Sequence, residues 1–324
     1  MTNTINLDEN NGIKYEEALG LVKAKLEHTL SRSPIIIREY TKHLLASQGK
    51  YIRAISVITA AEDEDGRIHP DAILFAAAIE LVHLASLVHD DIIDNADLRR
   101  GNVTLQKKYG KRTAVICGDY LLSIALRMAA SCNNKRDYLD LELHDYVGKV
   151  CLGELNQHIN NNNINLSIYQ YLKIISGKTA ALFEASFLAG AMVEGLRGVE
   201  LNRYRQLGYE IGMIFQLTDD CMDFENTRAE AEKPVQSDYE QGVITLPLIH
   251  AFTELGSFKE KAGSTGITRQ EINEAVIKTG GLSFTRLIVM KYYNKALKLI
   301  DALEAPVCKK EKLTYILKKA SRLE

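Results

Sequence analysis

Residues 81–101 read LVHLASLVHDDIIDNADLRRG. The stretch opens as an apolar helix and ends in three carboxylates, Asp90, Asp91 and Asp94, followed by Arg99, Arg100 and Gly101. The i, i+4 spacing puts Asp90 and Asp94 on one helix face, about 6 Å apart at their side-chain roots, with Asp91 flanking them. Carboxylates so close repel one another, and they sit at the unfavourable C-terminal end of the helix dipole. A cation resolves both penalties. The donors are all oxygen, with no Cys or His pair at ligand spacing, so the ion expected is hard, Mg²⁺ or Mn²⁺, sharing its remaining sites with water and a phosphate-bearing substrate.

A lone cluster of this kind reads more simply as a solvated helix end. A second one changes the reading: Asp219, Asp220 and Asp223 repeat the spacing after the apolar run 211–217, which holds Gln216. Two helices are therefore expected to end alike. If they run side by side with these ends at one mouth, six carboxylates hold several metal ions around one diphosphate. Arg99 and Arg100 place guanidinium forks just beyond the first cluster, and Arg binds phosphate bidentately. Lys50 and Arg53 lie one turn apart after Gly49, and His83 lies seven residues before Asp90 on the same face.

Outward from these clusters, apolar residues recur at three- and four-residue spacing from Tyr15 onward, with no convincing alternation of the strand type. The fold expected is all-α. Helix starts are legible at Ser33 with Pro34, His69 with Pro70, Ser167 with Gln170 and Thr268 with Glu271, the last two at capping-box spacing. Residues 160–163, four asparagines, read as a surface connection, and 225–239 as a second polar break. Residues 72–88 are the most apolar stretch. Glu80 and His83 interrupt it short of the roughly 20 apolar residues of a spanning helix, so a buried central helix is expected. No long Pro/Gly/Ser linker divides the 324 residues, and one helical domain over 1–324 is the expectation.

Composition narrows the function. With 40 basic and 42 acidic residues the formal charge is −2, which disfavours a nucleic-acid partner. The five cysteines are scattered and never closely paired, as in buried thiols of a reducing cytoplasm. Residues 1–11 lack the basic-then-apolar order of a signal peptide, so a cytoplasmic protein is expected.

The chain resembles the trans-polyprenyl diphosphate synthases, a family of isoprenoid synthase fold. Residues 81–101 match the first aspartate-rich motif of that family with its trailing arginines, and 215–223, FQLTDDCMD, match the second. Further marks are 48–53 (QGKYIR), 118–120 (GDY), 177–179 (GKT) and 242–247 (GVITLP). The wording around residues 81–91 and 241–247 is most like the catalytic component II of heptaprenyl diphosphate synthases.

The resemblance implies a helical bundle around a deep central cavity. It implies condensation of an allylic diphosphate with isopentenyl diphosphate, repeated to a hexa- to octaprenyl product, heptaprenyl favoured, of the kind used for quinone side chains. Lys50, Arg53, His83 and Arg100 match residues that bind isopentenyl diphosphate, and Arg99 matches one that binds the allylic diphosphate. Asp90, Asp94 and Asp219 match aspartates that hold three Mg²⁺ on that allylic group, with Asp91, Asp220 and Asp223 supporting. Lys178, Thr179, Gln216 and Lys233 match residues that touch the allylic diphosphate or the developing cation. The chain departs from the family pattern at Gln48, Ala54, Glu232 and Val243, none of them in the metal set. A homodimer, or a heterodimer with a small accessory subunit, and a lipid product released to a membrane are also implied.

Product length is expected to depend on what lies below Asp90 on its helix. Ser86 and Ala85 sit about one turn deeper and are small, so the tail can pass toward Val82, Ile79 and Ala78. In shorter-chain (farnesyl or geranylgeranyl) relatives bulky aromatics at such places close the pocket. Small residues also serve close helix packing. Three other readings are weaker. An HD-type phosphohydrolase would use His89 and Asp90 but needs further metal-placed histidines. A terpene cyclase shares the first motif and normally lacks the second. A non-catalytic helical binding protein has no reason to keep both.

Overall fold

The computed structural model describes residues 12–45, 49–229, 239 and 241–322. The architecture is all-α, as expected. The only sheet among the described residues is two pairs of two-residue strands, β1 (Ile13–Lys14) with β2 (Arg67–Ile68) and β3 (Leu98–Arg99) with β4 (Asn102–Val103), both antiparallel. The chain packs as two compact units.

The first unit takes the described residues up to Val147 together with Ala185–Arg205 and Leu303–Leu313. Its helices are α1 (Tyr15–Ser31), α2 (Ile35–Leu45), α3 (Ile52–Ala60), α4 (Pro70–Ile93), α5 (Leu105–Tyr109), α6 (Lys111–Ala129) and α7 (Lys135–Leu141). Central to it is α4, which packs on α6, α3 and α1. His69 caps its start, the ring accepting from the Asp71 N–H, and Pro70 occupies the first helical position, where no N–H is needed. Ala72, Phe75, Ala76, Ala77, Ala78, Ile79, Leu81, Val82 and Ala85 are buried, an apolar surface nearly all round, which is the signature of an interior helix. By length and composition alone α4 could cross a membrane, but most of it is covered by its neighbours.

A buried charge network closes this unit. Lys309 has no exposed surface; its ammonium donates to the Glu62 carbonyl at 2.7 Å and pairs with Glu194. Lys312 pairs with the Glu62 carboxylate and lies 3.7 Å from the centre of the Tyr15 ring, whose hydroxyl bonds Thr59.

The second unit comprises Gly148–Glu184, Gln206–Ala302 and the described residues from Thr314. Helices α8 (Leu143–Ile159), α10 (Ala181–Glu194), α11 (Gly198–Ala229) and α16 (Val307–Ser321) contribute segments to both units. Within the second lie α9 (Ile168–Ile175), α12 (Leu246–Glu254), α13 (Gly256–Ser264), α14 (Arg269–Thr279) and α15 (Gly281–Ala302). Ser167 and Thr268 form the expected capping boxes of α9 and α14. Such a cap is worth about 1 kcal/mol. Helix α12 packs on α14 and α15, with His250 stacked on Phe284 at 4.2 Å.

One expectation fails. The second aspartate cluster does not end a helix: α11 runs on from Asp223 to Ala229, through the start of the expected polar break. Cys221 and Phe224 keep an apolar face buried past the carboxylates, so the packing that holds the helix does not stop where the sequence turns acidic. The dipole penalty therefore applies to the first cluster only.

Candidate active site

In the first unit, α4 ends at Ile93 with Asp94 as its C-cap, the Asp94 N–H reaching the Asp90 carbonyl at 2.8 Å. Asp90 and Asp94 remain partly accessible, whereas Asp91 points inward and is only 6% exposed. Arg99 Nε donates to Asp91 Oδ1 at 2.7 Å. Burial pushes the Asp91 carboxyl up and Arg99 partly offsets it.

Arg99 stands on β3. The two residues that turn β3 into β4, Arg100 and Gly101, both have positive φ, 51° and 79°, the pattern of a tight hairpin whose twist matches its strands. Glycine adopts this freely, while Arg100 does so at a cost in local strain. The hairpin is tied to the end of α4 by Thr104 Oγ1 and Gln106 Nε2, both donating to the Ala96 carbonyl, at 2.7 and 2.6 Å.

The turn carries Arg100 back to the start of α3. Its guanidinium lies on Gly49, where a Cβ would meet Nη1 at 2.8 Å. Lys50 is exposed next to it, and Arg53, one turn into α3, is buried. Burial lowers Arg53 to about 10, against the pull of the Glu80 carboxylate and with the push of Arg100. Glu80 also accepts the Ala54 N–H at 3.0 Å. His83 lies in the same field: burial, then Arg53, Arg100 and Arg99, hold its imidazole well below the usual value, so it is neutral at pH 7. Arg53, Arg99 and Arg100, three of the expected diphosphate ligands, thus all act on a fourth, His83, and Arg100 also acts on Arg53, a concentration of positive charge that an anion would relieve.

In the second unit, α9 passes directly into a π-helical turn, Ser176–Ala180, that presents Lys178 and Thr179. Wide turns of this kind are frequent at functional sites. The turn rests on α8 at Gly153, where a Cβ would fall 2.2 Å from the Lys178 nitrogen, so only glycine allows the backbones to meet. Lys178 Nζ pairs with Glu154 Oε2 at 2.8 Å. Thr179 Oγ1 donates to Gln216 Oε1 at 2.7 Å, Gln216 Nε2 donates to Asp220 Oδ1 at 2.7 Å, and the Tyr171 hydroxyl donates to Asp220 Oδ2. Asp220 is 2% exposed, and desolvation raises it to about 7 although both hydrogen bonds oppose the shift. Asp219 is exposed and accepts from Arg322 Nη2 at 3.3 Å; Asp223 is half-exposed.

Both clusters thus divide in the same way, into accessible carboxylates (Asp90, Asp94, Asp219, Asp223) and an inward one held by side chains (Asp91, Asp220). Among the described residues no three carboxylate, imidazole or thiol groups converge on a point. All-oxygen donors that leave a shell to be completed from outside suit Mg²⁺, which takes one or two carboxylates and fills the rest with water and phosphate oxygens. Below Asp90, Ser86 is partly accessible, its hydroxyl on the His83 carbonyl at 2.8 Å, whereas Ala85 and Val82 are covered. Lys233, Gln48 and Glu232 lie outside the described residues. Glu154, Tyr171 and the π turn carry no signal in the sequence that marks them for this place.

The profile of the family described as Polyprenyl synthetase matches residues 34–279. Heptaprenyl diphosphate synthase component 2 of Geobacillus stearothermophilus is 34% identical over 88% of this chain and 89% of its own. The crystal structure of heptaprenyl diphosphate synthase from Staphylococcus aureus aligns with TM-score 0.86 at 31% identity, covering 97% of this chain and 100% of that one. A polyprenyl synthase from Caulobacter crescentus CB15, complexed with calcium and isoprenyl diphosphate, aligns at 0.82 and 29%, over 96% and 98%. The chain belongs to the polyprenyl synthetase family, and it is a prenyl-transferring enzyme.

Proposed function

We propose that this enzyme extends an allylic diphosphate with successive molecules of isopentenyl diphosphate to an all-trans product of six to eight units, with seven favoured. The observation that carries the reading is the hairpin after α4, which sets Arg99 on Asp91, between the accessible Asp90 and Asp94, and turns Arg100 back onto Gly49 next to Lys50. Lys50, Arg53, His83 and Arg100 hold isopentenyl diphosphate; Arg99, Lys178, Thr179 and Gln216 serve the allylic substrate. Asp90, Asp94 and Asp219 are the direct metal ligands, Asp223 supports them, and Asp91 and Asp220 brace them from behind. Magnesium, when bound, neutralises the leaving diphosphate so that the allylic carbon–oxygen bond can ionise.

The rest falls to the chain. The cationic set fixes the second diphosphate and so holds its alkene in line with the allylic carbon. The alkene attacks the allylic carbon as its bond to the diphosphate oxygen breaks, the departing diphosphate takes up the proton that the new cation loses, and no side-chain nucleophile is required. Glu154 keeps Lys178 in place over the π turn until an anion competes for it.

The relatives named component 2 favour a second, accessory polypeptide, and α8 offers a place for one: Leu152, Leu155 and Ile159 share one face and are 66%, 52% and 70% exposed. A cytoplasmic enzyme feeding a quinone side chain fits this assignment.

The test is the purified chain with labelled isopentenyl diphosphate, an allylic primer and Mg²⁺. The expected result is release of diphosphate and extended allylic products, stopped by a chelator. Inorganic phosphate or a cyclic hydrocarbon would refute the reading, and activity without any added protein would exclude an obligatory accessory subunit.

A finer test divides the substrates. Arg100→Ala and His83→Ala are expected to raise KM for isopentenyl diphosphate about 10- to 100-fold and that for the allylic substrate less than about threefold, because each removes contacts to one diphosphate only. Equal effects on both would show the two sites to be wrongly divided.

A further inference from the structure

We propose that Tyr171 is a positioning residue for prenyl transfer, acting through Asp220 on the amide of Gln216. The proposal rests on the reading that Gln216 and Thr179 serve the allylic group.

Four side chains make a closed circuit within one unit. Tyr171 stands on α9, the π turn that follows α9 carries Thr179, and Gln216 and Asp220 lie one turn apart on α11. Tyr171 bonds Asp220, Asp220 bonds Gln216, and Gln216 bonds Thr179, so α9 and its π turn are fastened to α11 at two points. All but Gln216 are less than 9% exposed, and Asp220 only 2%.

The circuit has a direction. Tyr171 and Gln216 both donate to Asp220, one to each of its two oxygens. That fixes the amide nitrogen of Gln216 toward Asp220 and its oxygen toward Thr179. Thr179 must then spend its one proton on Gln216. Both outer oxygens, Gln216 Oε1 and Thr179 Oγ1, are left with free lone pairs and none pointing a proton outward, the polarity suited to a carbon gaining positive charge. Without the tyrosine hydroxyl, one oxygen of a buried carboxylate loses its donor, and the Gln216 amide becomes the nearest replacement. Sharing that amide between both carboxylate oxygens loosens the orientation that Thr179 depends on.

Tyr171→Phe keeps the ring and deletes the donor. Its kcat is expected to fall about 10- to 100-fold while KM for either diphosphate moves less than about threefold, the split of a group that orients without touching substrate. In an Asp220→Asn background the same substitution is expected to change kcat less than about threefold, since the group through which it acts is gone. The thermal midpoint should move by no more than about 4 °C. An unchanged kcat, an equal loss in both backgrounds, or a midpoint lowered by about 10 °C or more, marking a folding residue, would each overturn the proposal. Gln216→Ala and Thr179→Val separate this from the underlying assignment. If both keep normal kcat, the allylic site is misplaced and the proposal falls with it. If they lose turnover while Tyr171→Phe does not, only the role of Tyr171 is wrong.

Discussion

Asp90→Ala and Asp219→Ala each lower turnover by about a thousandfold or more, equivalent to about 4 kcal/mol of lost transition-state stabilisation, with the fold intact. Both side chains are accessible, so truncation opens no cavity, and relief of repulsion from Asp94 or Asp223 can raise the melting temperature. The inward members behave differently. Asp91→Ala removes a half-buried ion pair with Arg99, so activity and about 1 to 3 kcal/mol of stability are lost together. Steady-state rates in Mg²⁺ with thermal melts of the same preparations distinguish the classes. Near-normal turnover of Asp90→Ala or Asp219→Ala would remove the two-motif assignment.

Ser86→Phe converts the enzyme to a short-chain synthase. Ser86 is partly accessible one turn, about 5.4 Å, beneath Asp90, so an added ring stands in the path of the tail while the groups above it stay as they are. Products stop after about one or two additions, and condensation continues. Ala85 was grouped with Ser86 on spacing, but it is fully covered; a ring there has to be forced into packed helices, costing about 1 to 3 kcal/mol and activity at unchanged length. Chromatography of dephosphorylated products decides. A parent-length product from Ser86→Phe would mean that the tail does not follow this helix.

These contrasts show which features sequence could carry. Helix starts at His69, Ser167 and Thr268 were legible because a cap is a local device, satisfied within three residues. The aspartate spacing was legible for the same reason. The end of α11 was not: a polar tract argues for a break, whereas in the fold Cys221 and Phe224 are buried and Glu225 pairs with Arg286. Gly177 was legible only as part of a family mark, and its place inside the π turn against Gly153 depends on a contact 24 residues away in sequence. Strands of two residues are too short to show alternation. Tyr171 is 49 residues from Asp220, and nothing in its neighbourhood marks it as a partner. The carboxylates were identifiable by type, but their division into outward and inward groups depends on Arg99, Gln216 and Tyr171 being folded against them.

Lys309 also constrains how sequences of this fold can drift. An ammonium with no exposed surface tolerates no isolated loss of Glu194, because breaking a buried pair costs about 3 to 5 kcal/mol, a large part of a domain's total stability. Replacing lysine and glutamate together by apolar residues of similar volume is close to neutral. Every single-step path between the two solutions crosses a destabilised intermediate. Lineages are therefore expected to keep the charged pair or to exchange both members at once, and Lys309 is inherited as a unit with a glutamate more than a hundred residues away.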